Sequence, residues 1–237
     1  MTMQTIDFDK LKLSSGDRLL DVGCGEGRHT IGAYLAADIE AIGVDLSGKD
    51  ISIAKEKAKA FVDPSNKNKR IEFKKANALK LPFEDNSFDK VVCSEVLEHI
   101  PDFKGVLAEI NRVLKPDGVL AVSVPRAWPE EICWRLSQAY HEVEGGHIRI
   151  FSDVHLRREV ESLGLNRYAR HWAHALHVPY WWLKCALWGK DEQSKLVQGY
   201  HNFLVWDMIK KPKFSRFLEK ALDPVMGKSV VMYFERV

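Results

Sequence analysis

The chain has 237 residues, enough for one large domain or for a domain with a substantial insertion. At 46% hydrophobic and 29% charged it has the composition of a soluble globular protein, and no apolar run reaches the roughly 18 residues of a membrane span. Lys+Arg 35 against Asp+Glu 33 leaves a net charge of +2, too balanced to argue for nucleic acid as a partner.

The first stretch, 1–17, is a lead-in anchored by Phe8, Leu11 and Leu13. A short apolar run over 18–22 then predicts a strand that leads into glycines at 23, 25 and 27. Glycine at alternate positions lets a chain turn tightly and bring bare backbone against a ligand. Residues 28–37 suit a helix, whose start offers unpaired N–H groups and partial positive charge. A second strand over 40–44 ends at Asp45, an acid placed to take ribose hydroxyls. Ser47 is placed to cap the next helix, with Lys55, Lys57 and Lys59 on its solvated face. Further strands are expected at 70–74 and 88–93, then a helix at 103–113, a turn at Lys115-Pro116-Asp117-Gly118 and a strand at 119–124. This alternation predicts a mostly parallel sheet with helices on both faces. The loops at 23–28, 45–47, 76–79 and 94–99 then meet at the C-terminal edge of the strands, where open α/β sheets bind ligands.

The second half differs in character. All seven tryptophans lie beyond Pro125, and the basic excess sits here: 17 basic and 13 acidic residues in 126–237, against 18 and 20 in 1–125. Residues 126–150 read as a helix and loop over the site. Ser152 or Asp153 starts a helix to about 163, a strand follows at 166–172, and 229–235 alternate well enough for a last strand. A structureless connection over 173–228 is implausible, so this segment is expected to be a helical cap inserted between the last two strands, with 1–172 and 229–237 forming one domain. Cys24, Cys93, Cys133 and Cys185 make no CxxC pair, so no zinc site or disulfide framework is implied. The opening Met-Thr-Met-Gln-Thr-Ile-Asp lacks the basic region and apolar core of a secretory signal, and a reducing cytoplasm is the expected location.

The glycine spacing selects the ligand. A dinucleotide fingerprint needs its third glycine at 28, which is Arg28. The run Asp21-Val22-Gly23-Cys24-Gly25-Glu26-Gly27-Arg28 instead resembles motif I of the class I S-adenosylmethionine (SAM) dependent methyltransferases. Three more blocks resemble that family in order: Gly43-Val44-Asp45-Leu46-Ser47, Leu81-Pro82-Phe83 with Ser94-Glu95-Val96-Leu97-Glu98-His99-Ile100, and Leu114-Lys115-Pro116-Asp117-Gly118. The set looks like the small-molecule branch that includes ubiquinone- and menaquinone-biosynthesis methyltransferases.

That resemblance implies a Rossmann-like α/β fold with a seven-stranded, mostly parallel sheet and an antiparallel last strand. It implies SAM as cofactor and S-adenosylhomocysteine as product. Gly23, Cys24 and Gly25 would lie against the methionine moiety, Asp45 would take the ribose, and Leu46 would pack on adenine. Asp21 would sense the ammonium or brace the loop. Asn77, with Ala78 beside it, stands where the family usually has an acid for the adenine amine; it is either that acceptor or a turn residue. Ser94 and Glu95 would lie near the sulfonium.

A base is needed only for an acceptor that loses a proton, such as a phenol or an acidic carbon. His99 and His147 are the candidates, each also readable as structural, and Arg149 is placed to bind a substrate anion or to brace. Trp128, Trp134 and Tyr140 from one side, and His174, Tyr180 and Trp181 from the cap, are the expected acceptor contacts. His171, His174 and His177 recur every three residues, yet no acid lies nearby in sequence and no metal is expected. The aromatic stretch 176–188 suits a hydrophobic lid or an interfacial segment, with Lys184, Lys190 and Lys210-Lys211-Pro212-Lys213 toward lipid headgroups. Strand 4 is not followed by the Pro-Pro sequence that related enzymes use to hold an amine, which argues against nucleic-acid methylation. The expected activity is methyl transfer to O or C of a hydrophobic or aromatic small molecule (quinone-, polyketide- or lipid-like). The alternative is a SAM-binding protein with other chemistry or a binding-only role.

Overall fold

The computed structural model describes residues 4–143, 145–210 and 212–236. Lys211 of the basic run, Val237 of the last strand's domain and the opening Met1–Met3 lie outside the described residues. Along the described chain run β1 (Arg18–Val22), α1 (Arg28–Ala36), β2 (Glu40–Asp45), α2 (Gly48–Lys59), β3 (Arg70–Lys75), β4 (Phe88–Ser94), α3 (Phe103–Val113) and β5 (Leu114–Pro125). There follow α4 (Ala127–Leu136), α5 (Ala139–Glu142), α6 (Asp153–Glu161), β6 (Leu165–Ala173), α7 (Val178–Ala186), α8 (Lys195–Lys210), α9 (Lys213–Met226) and β7 (Ser229–Arg236), with 3-10 turns at Ala175–His177 and Asp191–Gln193.

The strands form one sheet in the order β3-β2-β1-β4-β5-β7-β6, parallel except that β7 runs antiparallel to both β5 and β6. Strand alternation fills two cores. Leu20, Val22, Val91, Cys93, Leu120, Val122, Met232 and Phe234 face α3 and α6 through Val106, Leu107, Ile110, Leu156 and Val160. Leu19, Val92, Ala121, Val231 and Tyr233 face the other way, onto Ala33 and Tyr34 of α1 and onto Ile6 and Leu11 of the lead-in. Ser47 caps α2 by accepting from the Asp50 N–H, and Ser152 caps α6 by accepting from the His155 N–H.

Two details differ from the sequence reading. Lys115–Gly118 is not a turn before β5 but an irregularity within it: Phe88 pairs with Leu114 and Lys90 with Val119, and the residues between are accommodated by a register shift. Residues 126–150 hold two short helices, α4 and α5, not one helix and a loop. Between β6 and β7 the chain is helical, and α7 packs on α4, where the Trp182 indole N–H donates to the Pro129 carbonyl at 3.1 Å. No helix among the described residues is long and apolar enough to cross a membrane.

Candidate active site

The glycine loop hangs from the end of β2. The Gly23 and Cys24 N–H groups donate to the Val44 carbonyl at 2.8 and 2.9 Å, and the Gly25 N–H donates to Asp45 Oδ2 at 2.9 Å. Gly25 sits at φ +50 with open space where a Cβ would project, whereas a Cβ on Gly23, at φ +71, would fall 2.3 Å from Val96 Cγ2. The open side of Gly25 thus presents bare peptide with no side chain over it. Asp45 Oδ1 also accepts from the Ser47 N–H at 2.8 Å, and each carboxylate oxygen keeps a lone pair for a hydroxyl. Leu46 is 66% exposed beside it, an apolar shelf without a protein partner.

Asp21 points elsewhere. It is 1% exposed, and its Oδ2 accepts from the Thr30 N–H at 3.0 Å and the Thr30 hydroxyl at 2.7 Å. Of the two roles read from sequence, this geometry is the brace. Burial pushes its carboxyl up to about 6, against the lowering effect of the Thr30 bonds. Cys24 is buried, which drives its thiol pKa far upward and leaves it a small packed residue, not a nucleophile. Asn77 Oδ1 accepts from the Leu79 N–H at 3.0 Å, closing an Asx turn, while Ala78 packs on the main core. Ser94 is buried, with its hydroxyl 2.8 Å from that of Ser123. Glu95 follows at φ +58, a left-handed conformation that costs strain in a non-glycine residue, and its Oε1 accepts from the Ser123 hydroxyl at 3.0 Å.

Glu95 and Arg28 belong to a cavity of about 460 Å³ whose other walls include His147, His174, His177, Tyr180 and Trp181, with Leu204, Val205 and Met208 of α8 and Lys228. Of the expected acceptor contacts, His174, Tyr180 and Trp181 are on its wall; Trp128, Trp134, Tyr140 and Arg149 are not. Trp134 is stacked on His141, with centroids 4.1 Å apart, and Trp128 lies against Trp182. Tyr140 is buried in the α4–α7 cluster with its hydroxyl 3.3 Å from Glu130 Oε2. Arg149 is consumed by backbone: its guanidinium donates to the carbonyls of Leu97 at 2.7 Å, Ile100, and Pro101 at 2.8 Å. With the Ile148 N–H on the Glu98 carbonyl at 3.0 Å, it straps residues 146–149 onto the loop after β4.

The two histidines of the expected base role separate. His99 is off the cavity wall, its Nδ1–H directed at the Gly146 carbonyl at 3.2 Å; burial and the neighbouring His147 lower its pKa. His147 is on the wall, and its Nδ1 lies 2.5 Å from Oε1 of Glu130, which is 3% exposed. Glu130 also accepts from the Trp134 indole N–H at 3.2 Å. In the neutral ring, a carboxylate that holds Nδ1–H directs the lone pair to Nε2, the arrangement a general base requires. Glu98 lies beneath, fully buried with neither carboxylate oxygen partnered, and burial raises its pKa well above the ordinary carboxylate range.

The three cap histidines do not share a helix face. His171 is on β6, and its ring Nε2 donates to the Thr5 carbonyl at 3.1 Å. His174 sits at φ +69, buried, with Nε2 3.0 Å from the Thr5 hydroxyl, and the Thr5 N–H donates to His29 Nε2 at 3.3 Å. Three rings thus pin the lead-in across the cavity. An acid does lie close in space: His174, His177 and Glu219 place one ligand atom each within 4.8 Å of one another. Arg216, however, donates to Glu219 Oε2 at 2.8 Å, and burial, joined by the positive charge of Lys228, Arg216 and Arg28, depresses His177 to about 4. That setting opposes a cation. A similar triad, Glu98, His99 and His147, contains the carboxyl whose ionised form burial disfavours.

Glu130, Arg28, Lys228 and Thr5 escaped the sequence reading. Arg28 had a local signal, its place at the end of the glycine motif where the helix starts; the others had none, because their positions follow from the closing of the chain.

The fold and this edge-of-sheet site define a nucleotide-type cofactor enzyme architecture of the methyltransferase kind. Residues 13–195 match the family model described as "Methyltransferase domain". The chain belongs to that family, within the class I SAM-dependent methyltransferases, and SAM is its cofactor. It is 42% identical over 113 residues to the 27-O-demethylrifamycin SV methyltransferase of Amycolatopsis mediterranei, covering 47% of this chain and 40% of that one. It is 40% identical over 119 residues to the demethylmenaquinone methyltransferase of Lactobacillus johnsonii, covering 48% and 46%. A sterol 24-C-methyltransferase of Saccharomyces cerevisiae is 33% identical over 149 residues, covering 62% and 35%. The chain thus spans less than half the length of these relatives. Among solved structures, the geranyl diphosphate C-methyltransferase of Streptomyces coelicolor superposes with a TM-score of 0.63 at 16% identity, over 97% of this chain and 78% of that one. The [4+2]-cyclase SpnF gives 0.60 at 22%, over 96% and 77%. At these identities the likeness is one of fold.

Proposed function

We propose that the protein transfers the methyl group of SAM to an oxygen or acidic carbon of a hydrophobic, aromatic small molecule of quinone, polyketide or lipid type. The observation that carries this is the cavity: apolar residues of α8 and the aromatics of α7 on one side, His147 and Glu95 on the other, next to the glycine loop. We assign residues 1–172 and 229–237 to the SAM-binding domain and 173–228 to a cap that supplies the greasy wall.

In this reading Gly23, Cys24, Gly25, Asp45, Leu46, Asn77, Ala78, Ser94 and Glu95 line the seat of SAM, and Asp21 holds the loop in shape through Thr30. When bound, SAM would supply a methyl carbon activated by its positive sulfur, the thioether being the leaving group. The chain's own work is to align the acceptor and exclude water. His147 Nε2 takes the acceptor's proton, and Glu130 holds the ring and favours the imidazolium that results. His99 supports this arrangement from behind, through Gly146. His174, Tyr180 and Trp181 contact the acceptor; Trp128, Trp134, Tyr140 and Arg149 support the walls. Lys228 and Arg28 favour a nucleophile that carries or develops negative charge. Four buried thiols suit a reducing compartment such as the cytoplasm.

The test is incubation with SAM and a panel of hydrophobic phenols, quinols and 1,3-dicarbonyl compounds, with S-adenosylhomocysteine and methylated product read by mass spectrometry. Product from the phenols or acidic carbons supports the proposal. Tight SAM binding with no turnover on any of them would shift the reading to the binding-only or non-methyl-transfer alternative.

A further inference from the structure

The segment between β6 and β7 is buried on one side only. Along α8, Leu196, Phe203 and Trp206 recur at seven and three residues and share an outward stripe with Lys210; along α9, Phe214, Phe217, Ala221 and Val225 make another. Phe214 and Phe217 are 76% and 73% exposed, and Leu196, Ile209 and Val225 are each about 70% exposed. Surface apolar residues occur singly on any protein, but large aromatics gathered on two consecutive helices mark a docking face.

The charges on these helices are sorted as well. Lys195, Lys210, Lys213 and Lys220 are exposed. The acids are turned inward: Asp207 is 2% exposed and bound by Ser215 and Arg216, Glu219 is paired with Arg216, and Asp223 Oδ1 accepts from the Ala175 N–H at 2.9 Å. Every exposed charge on the described residues of α8 and α9 is therefore a lysine. Lys213 and Lys220 lie seven residues apart and flank the α9 stripe on one side. A second copy of this chain would set lysines against lysines, and lysine is depleted from protein interface cores. Apolar side chains rimmed by lysines match an anionic bilayer, whose headgroups take the ammonium groups while the rings enter the acyl boundary.

We propose that the outer face of α8 and α9 docks on an anionic lipid surface. The inner side of α8 contributes Leu204, Val205 and Met208 to the cavity, so the same helix joins the bilayer to the acceptor site. This relocates the interfacial element from 176–188, where Trp181, Trp182 and Trp188 pack into the cluster around Tyr140. It explains why an enzyme for a greasy acceptor would expose apolar helices at its cap: the acceptor partitions into lipid and is met there. The docking itself does not depend on methyl transfer and is read without it.

The experiment is flotation of the full chain with vesicles of pure phosphatidylcholine and of phosphatidylcholine with 30% phosphatidylglycerol, at low and high salt, alongside light scattering of the protein alone. The expected result is a monomer that floats with the anionic vesicles at about 0.1 M salt, and about tenfold less at 0.5 M salt. F214S/F217S is expected to cut binding at least ~30-fold. K213E/K220E is expected to remove the preference for anionic lipid. Both pairs are exposed, so thermal unfolding should be near that of the parent chain. No flotation with anionic vesicles, or flotation unchanged in both variants, would overturn the proposal. So would a dimer that F214S/F217S dissociates, since the occupant would then be a second copy.

Discussion

Gly23 and Gly25 stand two residues apart in the same loop, both with positive φ, yet they face different surroundings, and alanine at each separates folding from ligand binding. At Gly25 the left-handed backbone costs an L-residue about 1–2 kcal/mol, with no steric addition because nothing lies within 4 Å of the added methyl. For a chain of this size that is a fall in Tm of roughly 2–8 °C. The methyl projects into the open side of the loop, where the methionine part of SAM is seated in our reading, so affinity should fall by at least about tenfold. At Gly23 the same backbone cost is joined by an overlap at 2.3 Å with Val96 Cγ2, a residue packed on the main core. Overpacking adds about 1–3 kcal/mol, so G23A should unfold roughly 4–20 °C lower than the parent chain. Differential scanning calorimetry gives the first quantity and isothermal titration with SAM, well below both transitions, the second. If G25A binds SAM within threefold of the parent while its Tm falls as expected, the loop is not the donor seat and the assignment of Gly23 to Gly25 fails.

His147→Gln should lower kcat for a phenolic acceptor by roughly 10²–10⁴ with little change in SAM affinity, and initial rates check it. E130Q keeps a hydrogen-bond acceptor for His147 Nδ1–H but removes the charge that favours the imidazolium. Turnover of the same acceptor should therefore fall while SAM affinity holds, and an unchanged kcat would separate Glu130 from catalysis. Arg149→Met should cost about 2 kcal/mol by freeing three carbonyls, a drop in Tm of about 4–8 °C, with acceptor KM unchanged. An acceptor KM raised tenfold at unchanged Tm would instead restore Arg149 as an anion binder. The pH dependence of stability carries two opposite signs. Asp21 is raised from 3.8 to about 6 in the fold, so its contribution is full below pH 3.8 and is lost as pH rises through 6. His177 is lowered from 6.5 to about 4, so its contribution is full above pH 6.5 and is lost as pH falls through 4. D21N should thus gain on the parent chain between pH 4 and 6, and H177Q should gain as pH drops from 6.5 to 4; denaturant unfolding at fixed pH values reads both.

The strands, the glycine loop and the ligand-binding edge were legible because their causes are local. Apolar alternation, glycine and proline punctuation and the Ser47 cap each act within a few residues, and β1, β2 and β4 fall within a residue of their expected bounds. The side-chain roles were less legible because direction is set from far away. Arg149 is a plausible anion binder in sequence, but in the fold three carbonyls some 50 residues earlier meet it first. The spacing of His171, His174 and His177 looks helical, yet β6 ends at Ala173 and His174 turns left-handed, so the rings diverge and two of them reach Thr5 instead. Tryptophan enrichment beyond residue 125 pointed to the half of the chain that supplies Trp181 to the cavity wall. It did not distinguish Trp181, on the cavity, from Trp134, stacked on His141, because both lie on amphipathic helices whose partners are each other.

The distribution of charge connects these observations. SAM brings a sulfonium and an ammonium, and the acids that would line or brace its seat in the proposed reading, Asp21, Asp45 and Glu95, come from the half of the chain with net −2. The acceptor side takes Lys228 and neutral, buried imidazoles from the half with net +4. In the proposed reading, a cation held on one wall and a nucleophile made anionic on the other would attract across the gap, in a cavity walled by α8 and the aromatics of α7. Uncharged amine acceptors would gain nothing from the positive wall, and their methylated cationic products would be repelled by it. Phenolate or enolate oxygen and carbon gain most, since the positive wall stabilises the charge that attack requires and the charge disappears on transfer, leaving a neutral product with little to hold it. On the proposed function, the same field that disfavours a metal beside His177 would favour release of an O- or C-methylated product.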